Sequence, residues 1–136
     1  MKKILGTLTI LSIAFLTVAM SSVKNENQVV NQDTKHIFKN VKADEFKKLI
    51  DAGHGIILDV RTADEFVKGH IEGAVNIDYY GKTFKEELNK LDKSKAIYVY
   101  CHSGGRSGKS MKMMTSMGFT EVYNLIGGFS NWPYKK

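Results

Sequence analysis

The sequence holds a single cysteine, Cys101, and a single proline, Pro133, in 136 residues. One cysteine excludes an internal disulfide framework and a cysteine-rich zinc module. One proline excludes a collagen-like or proline-rich rod. Arginine is scarce as well: only Arg61 and Arg106 stand among 20 basic residues. A planar guanidinium serves carboxylates and anions in a way a lysine point charge does not, so both positions are singled out. Metal-ligand spacing is also missing, since Cys101 and His102 are adjacent, project differently and have no second pair to join them. No metal and no cofactor are therefore expected.

What is present describes an ordinary globular chain, with 43% apolar, 10% aromatic and 25% charged residues. The length allows one domain and a short appendage. The net charge of +6 invites a nucleic-acid reading. The lysines, however, alternate with acids, as in Lys82, Lys85, Glu86, Glu87, Lys90, Asp92 and Lys93. That is a solvated face rather than a basic stripe, and no nucleic-acid partner is expected.

Lys2 and Lys3 precede an uncharged run from Ile4 to Val23, the layout of a secretory signal with a basic start and an apolar core. Ala19, Met20 and Ser21 fit the small-x-small rule for cleavage after Ser21. Residues 1–21 are thus expected to be a signal peptide and 22–34 a flexible polar leader, with the domain over 35–136. The expected location is outside the cytoplasm, periplasmic for example. Membrane contact would arise only if the segment stayed uncleaved as an anchor.

Beyond Lys35, apolar runs of strand length alternate with helical patterns, which predicts an α/β fold with a largely parallel central sheet flanked by helices on both faces. Ile56 to Leu58 and Ala96 to Tyr100 read as strands covered on both sides. Ala74 to Ile77 and Glu121 to Leu125 read as two more. Helical spacing links Ala43, Phe46, Leu49 and Ile50, then Phe84, Leu88 and Leu91. A third helix is predicted from about Ser107 to Met117, with Met111, Met114 and Met117 as its packing stripe.

The chemistry-bearing segment is Cys101-His102-Ser103-Gly104-Gly105-Arg106-Ser107, a compact turn between a buried strand and a helix start. In open α/β sheets, ligands bind beyond the carboxyl ends of the strands. Two glycines allow successive N–H groups to point at the cysteine sulfur as an anion-holding nest. The following helix adds its positive end, so Cys101 is expected to be an ionised nucleophile at neutral pH. Arg106 closes the turn and either braces the loop or binds an incoming anion.

These features resemble a single-domain rhodanese, a sulfurtransferase. The resemblance is carried by the Cys101-x4-Arg106 loop, by Leu58-Asp59-Val60-Arg61 with Glu65-Phe66, by Gly69-His70-Ile71-Glu72-Gly73-Ala74-Val75-Asn76-Ile77, and by Val122-Tyr123-Asn124-Leu125 running into Gly127-Gly128 and Trp132. It implies that Cys101 accepts a sulfane sulfur from thiosulfate or polysulfide and passes it as a persulfide to cyanide, a thiol or a protein acceptor. The N–H groups from His102 to Ser107 would cradle the persulfide, and Arg106 would hold the loop and favour anionic donors. Asp59 and Arg61 would lie near the loop in support, as a charge pair or a cap for the helix beginning near Ala63 rather than in contact with substrate.

Three departures from the family pattern stand out. His102 stands where the family often has arginine, which predicts weaker, pH-dependent attraction for thiosulfate. Glu72 replaces the usual proline, and the terminal helix is expected to be short or absent. His70 is expected to be a hydrogen-bonded structural histidine and Trp132 a packing residue.

Three rival readings stand against this one. Related phosphatases place five residues between cysteine and arginine, one more than here. A non-catalytic sulfur-carrier or anion-binding module, loaded by a partner protein, would have the same sequence. A thiol-disulfide oxidoreductase would need a resolving cysteine.

Overall fold

The structure, a computed structural model, describes residues 35–135. The signal and leader segments expected over 1–21 and 22–34 lie outside the described residues. Among the described residues no helix is long and apolar enough to cross a membrane.

Among the described residues, five strands and four helices alternate: β1 (Ile37–Val41), α1 (Ala43–Asp51), β2 (Gly55–Asp59), α2 (Ala63–Val67), β3 (Val75–Asn76), α3 (Phe84–Asn89), β4 (Ala96–Tyr100), α4 (Gly105–Thr115) and β5 (Glu121–Leu125), followed by a 3-10 turn at Phe129–Asn131. The strands form one sheet in the order β1-β5-β4-β2-β3. Every pairing is parallel, so each crossover carries a helix back over a face of the sheet.

The central strand β4 is buried at all five positions, and its side chains divide strictly between two cores. Ile97 and Val99 join Leu88 of α3 and Met114 of α4 on one face. Ala96, Tyr98 and Tyr100 join Phe46 of α1 and Trp132 on the other. The period of two along the strand thus produces the layered fold directly. Met114 is fully buried, with Met111 and Met117 packed beside it, so the methionine stripe of α4 is core. Trp132 packs edge-on against Phe46, with ring centroids 5.9 Å apart.

One strand escapes the sequence pattern. β1 has exposed Lys39 and Asn40 at its middle and becomes a strand by pairing with β5, Ile37 opposite Glu121 through Val41 opposite Leu125. Gly55 opens β2 because the strands crowd there. A Cβ at Gly55 would collide with the Ala96 carbonyl oxygen and the Tyr98 ring.

Candidate active site

β4 ends at Tyr100 and delivers Cys101 to the carboxyl edge of the sheet, where the residue is 1% exposed. Gly104 turns the chain with φ at +103°, a conformation that suits a residue without Cβ. The Gly104 N–H then donates to Cys101 Sγ at 3.1 Å. The fully buried Ser107 hydroxyl, one turn into α4, donates to the same sulfur at 3.3 Å.

Burial alone would push the Cys101 thiol up. It is outweighed by the Ser107 hydroxyl and by the backbone N–H groups of Ser107, Gly104 and Ser103, and the thiol titrates below its ordinary value. These donors satisfy a sulfur anion and aim the start of α4 at it. The helix begins two residues earlier than its apolar spacing predicts, because Gly104 already supplies its N-cap.

A second strap holds the loop from behind. After β5, the Phe129 N–H donates to the Cys101 carbonyl at 2.8 Å and the Ser130 N–H to the His102 carbonyl at 2.9 Å. Gly128 makes this approach possible. It sits at φ +59° and ψ −160°, and a Cβ there would lie 2.5 Å from both carbonyl oxygens. The two carbonyls are thereby engaged by the strap.

Arg106 braces the loop. Its Nη1 and Nη2 donate to Oε2 and Oε1 of Glu65 at 2.8 and 2.9 Å, a bidentate fork that a lysine could not form. Glu65 is itself fixed as the third helical residue of α2, closing a capping box with Thr62. The hydrogen bonds from Arg106 hold the Glu65 carboxyl at about 2, well below the usual carboxylate range. Arg106 is raised correspondingly, and its guanidinium lies 5.6 Å from the Tyr80 ring.

Asp59 and Arg61 form a separate ion pair, with Nη2 to Oδ2 at 2.6 Å and side-chain exposures of 0% and 4%. Arg61 also donates to the Gly69 carbonyl at 2.7 Å and lies 4.3 Å from the centroid of Phe129. The pair therefore buttresses Phe129, the residue bonded to Cys101. Thr62, not Asp59, caps α2.

His102, Ser103 and Gly105 are exposed at the rim. His70 stacks on Phe66 at 3.8 Å and donates from Nδ1 to the Phe66 carbonyl at 3.0 Å, a structural role. Among the described residues no group of His, Cys, Asp or Glu side chains could hold a metal ion.

Glu65, Gly128 and Phe129 carry site geometry without having been singled out for it by sequence reasoning. The Thr62-x-x-Glu65 capping box was a visible signal for the first. Nothing local marked its bond to a residue 41 positions away.

Comparison with known proteins places this site in context. Residues 42–134 match the model of the rhodanese-like domain. Thiosulfate sulfurtransferase GlpE of Coxiella burnetii (strain RSA 331 / Henzerling II) is 33% identical over 96 residues, covering 71% of this chain and 88% of GlpE. YrkF of Bacillus subtilis (strain 168), a candidate sulfur carrier protein, is 36% identical over 96 residues, 70% of this chain and 51% of YrkF. Among solved structures, a rhodanese-like domain protein from Staphylococcus aureus is 31% identical with a TM-score of 0.62, covering 72% of this chain and 96% of that one.

Proposed function

The chain belongs to the rhodanese-like family, and from that membership we propose that it is a sulfurtransferase in which Cys101 carries sulfane sulfur as a persulfide. The observation that carries the proposal is the convergence of the Gly104 N–H and the Ser107 hydroxyl on Cys101 Sγ at 3.1 and 3.3 Å. A thiolate held this way is a nucleophile, and the same donors receive the charge when it moves one atom outward onto the persulfide.

With thiosulfate as donor, the Cys101 thiolate attacks the sulfane sulfur. The Sγ–S bond forms, the S–S bond of thiosulfate breaks, and sulfite leaves with the electron pair. Cyanide or a thiolate then attacks the outer sulfur of the persulfide and regenerates the Cys101 thiolate. With cyanide the product is thiocyanate. Inorganic polysulfide loads the same sulfur by the same displacement. The four-residue interval between Cys101 and Arg106, and the commitment of both Arg106 terminal nitrogens to Glu65, speak against phosphatase chemistry.

The thiosulfate sulfurtransferase relative supports the enzymatic reading. Steady turnover of thiosulfate and cyanide to sulfite and thiocyanate, abolished in Cys101→Ser, is the expected result. No turnover by the parent, with transfer of a single sulfur only when a partner protein is added, would favour a carrier instead. That second reading draws on the near-complete burial of Cys101 and on the YrkF relative. Export is part of the proposal, supported by Lys2, Lys3 and the uncharged run to Val23. N-terminal sequencing of secreted protein should begin at Ser22, and an intact Met1 on a membrane-bound product would contradict cleavage.

A further inference from the structure

Arg106 is the one arginine of the Cys101–Ser107 loop, and each of its terminal nitrogens donates a hydrogen bond to the Glu65 carboxylate, at 2.8 and 2.9 Å. The other arginine of the chain is committed elsewhere. Arg61 is buried against Asp59 and the Gly69 carbonyl. Lys135, over the outer part of the strap at 4.8 Å from the Phe129 centroid, donates to the Ser130 carbonyl at 3.1 Å. The rim of the loop is otherwise an exposed imidazole, His102, a serine, a glycine and the 68% exposed Tyr80. A dianion approaching Cys101 thus meets backbone N–H groups and a guanidinium whose charge is already matched by a carboxylate.

Resting on the sulfurtransferase reading above, we propose that Glu65 sets the donor preference of the site, and that the preferred donor is a small organic persulfide of low charge rather than thiosulfate. The step balances without a co-reactant. The Cys101 thiolate attacks the outer sulfur of R–S–SH, the Sγ–S bond forms, the donor S–S bond breaks, and R–S⁻ leaves with the electron pair to be protonated by water. A donor with at most one negative charge needs only the Gly104, Ser103 and Ser107 donors that already face the sulfur. Thiosulfate brings two charges and finds no uncommitted guanidinium to receive its sulfonate end.

The test measures kcat/KM for loading Cys101 with the persulfide of 2-mercaptoethanol and with thiosulfate, on the parent and on Glu65→Gln. The parent should load the organic persulfide about tenfold or more faster than thiosulfate, the fold-change of one charge-assisted hydrogen bond. In Glu65→Gln, Arg106 is released. The ratio of thiosulfate to organic-persulfide loading should then rise about tenfold, through the KM for thiosulfate.

The ionic-strength profile of the parent decides the matter independently of how well the variant folds. Thiosulfate loading that does not fall with added salt supports the proposal. Loading that falls steeply with salt reveals a free cation at the site and overturns it. Equal or faster loading of the parent by thiosulfate also overturns it. Failure of both donors to load the parent would instead contradict the sulfurtransferase reading itself.

Discussion

The Phe129 N–H donates a 2.8 Å hydrogen bond to the Cys101 carbonyl, so the turn after β5 holds the residue proposed to carry sulfur from behind. That bond depends on the backbone of Gly128, in a region of φ and ψ that is essentially closed to other residues. Gly128→Ala should destabilise the fold by about 1–3 kcal/mol or more through backbone strain. The two carbonyl oxygens facing the new Cβ are backbone atoms that cannot swing aside. Urea denaturation measures the loss, and sulfur loading of the remaining folded protein should fall as the loop shifts.

Among the described residues, Ser107 supplies the one side-chain hydroxyl on Cys101 Sγ. Ser107→Ala removes a donor to the thiolate and leaves the opposing effect of burial, so the thiol should titrate at higher pH than in the parent. The iodoacetamide rate, followed against pH, should move to higher pH. At neutral pH it should drop about tenfold, the worth of one hydrogen bond to a charged group.

Glu65 gives a pH signature. Its carboxyl, held by the Arg106 hydrogen bonds, sits at about 2 in the folded protein against an ordinary value of 4.5. A depressed carboxylate contributes stability that is complete above about 4.5 and disappears as the pH falls through about 2. Glu65→Gln lacks this contribution throughout. The gap in denaturation midpoint between parent and variant should therefore be widest above pH 4.5 and close as the pH approaches 2. A gap that widened on acidification would contradict the pairing.

The buried pair of Asp59 and Arg61 predicts a structural rather than a chemical phenotype. Asp59→Asn leaves the Arg61 guanidinium buried without its counter-charge, which should cost about 3–5 kcal/mol. Chemical denaturation measures that cost. The fraction that stays folded should still load sulfur on Cys101, because neither side chain bonds the sulfur.

Much of this arrangement was legible in the sequence. β4 and β5 run as their apolar patterns predict, because central strands of a parallel sheet have no solvated face to blur the signal. The position of Cys101 at the strand end followed from the same pattern. β1 was not legible: its exposed Lys39 and Asn40 carry no strand signal, and its conformation comes from pairing with β5 more than 80 positions away. Arg106 illustrates the same boundary within the site. Its place in the loop could be read, but the choice between bracing and anion binding rests on Glu65 across the fold. The α2 capping box fixes Glu65 locally and reveals nothing of that partner.

The intact mass of the domain after incubation with a sulfane-sulfur donor tests the central claim most directly. The parent should gain the mass of one sulfur atom per chain, lose it on addition of cyanide, and gain nothing when Cys101 is replaced by serine. A parent that gains no sulfur from thiosulfate, inorganic polysulfide or an organic persulfide would contradict it, as would a Cys101→Ser variant that gains as much as the parent.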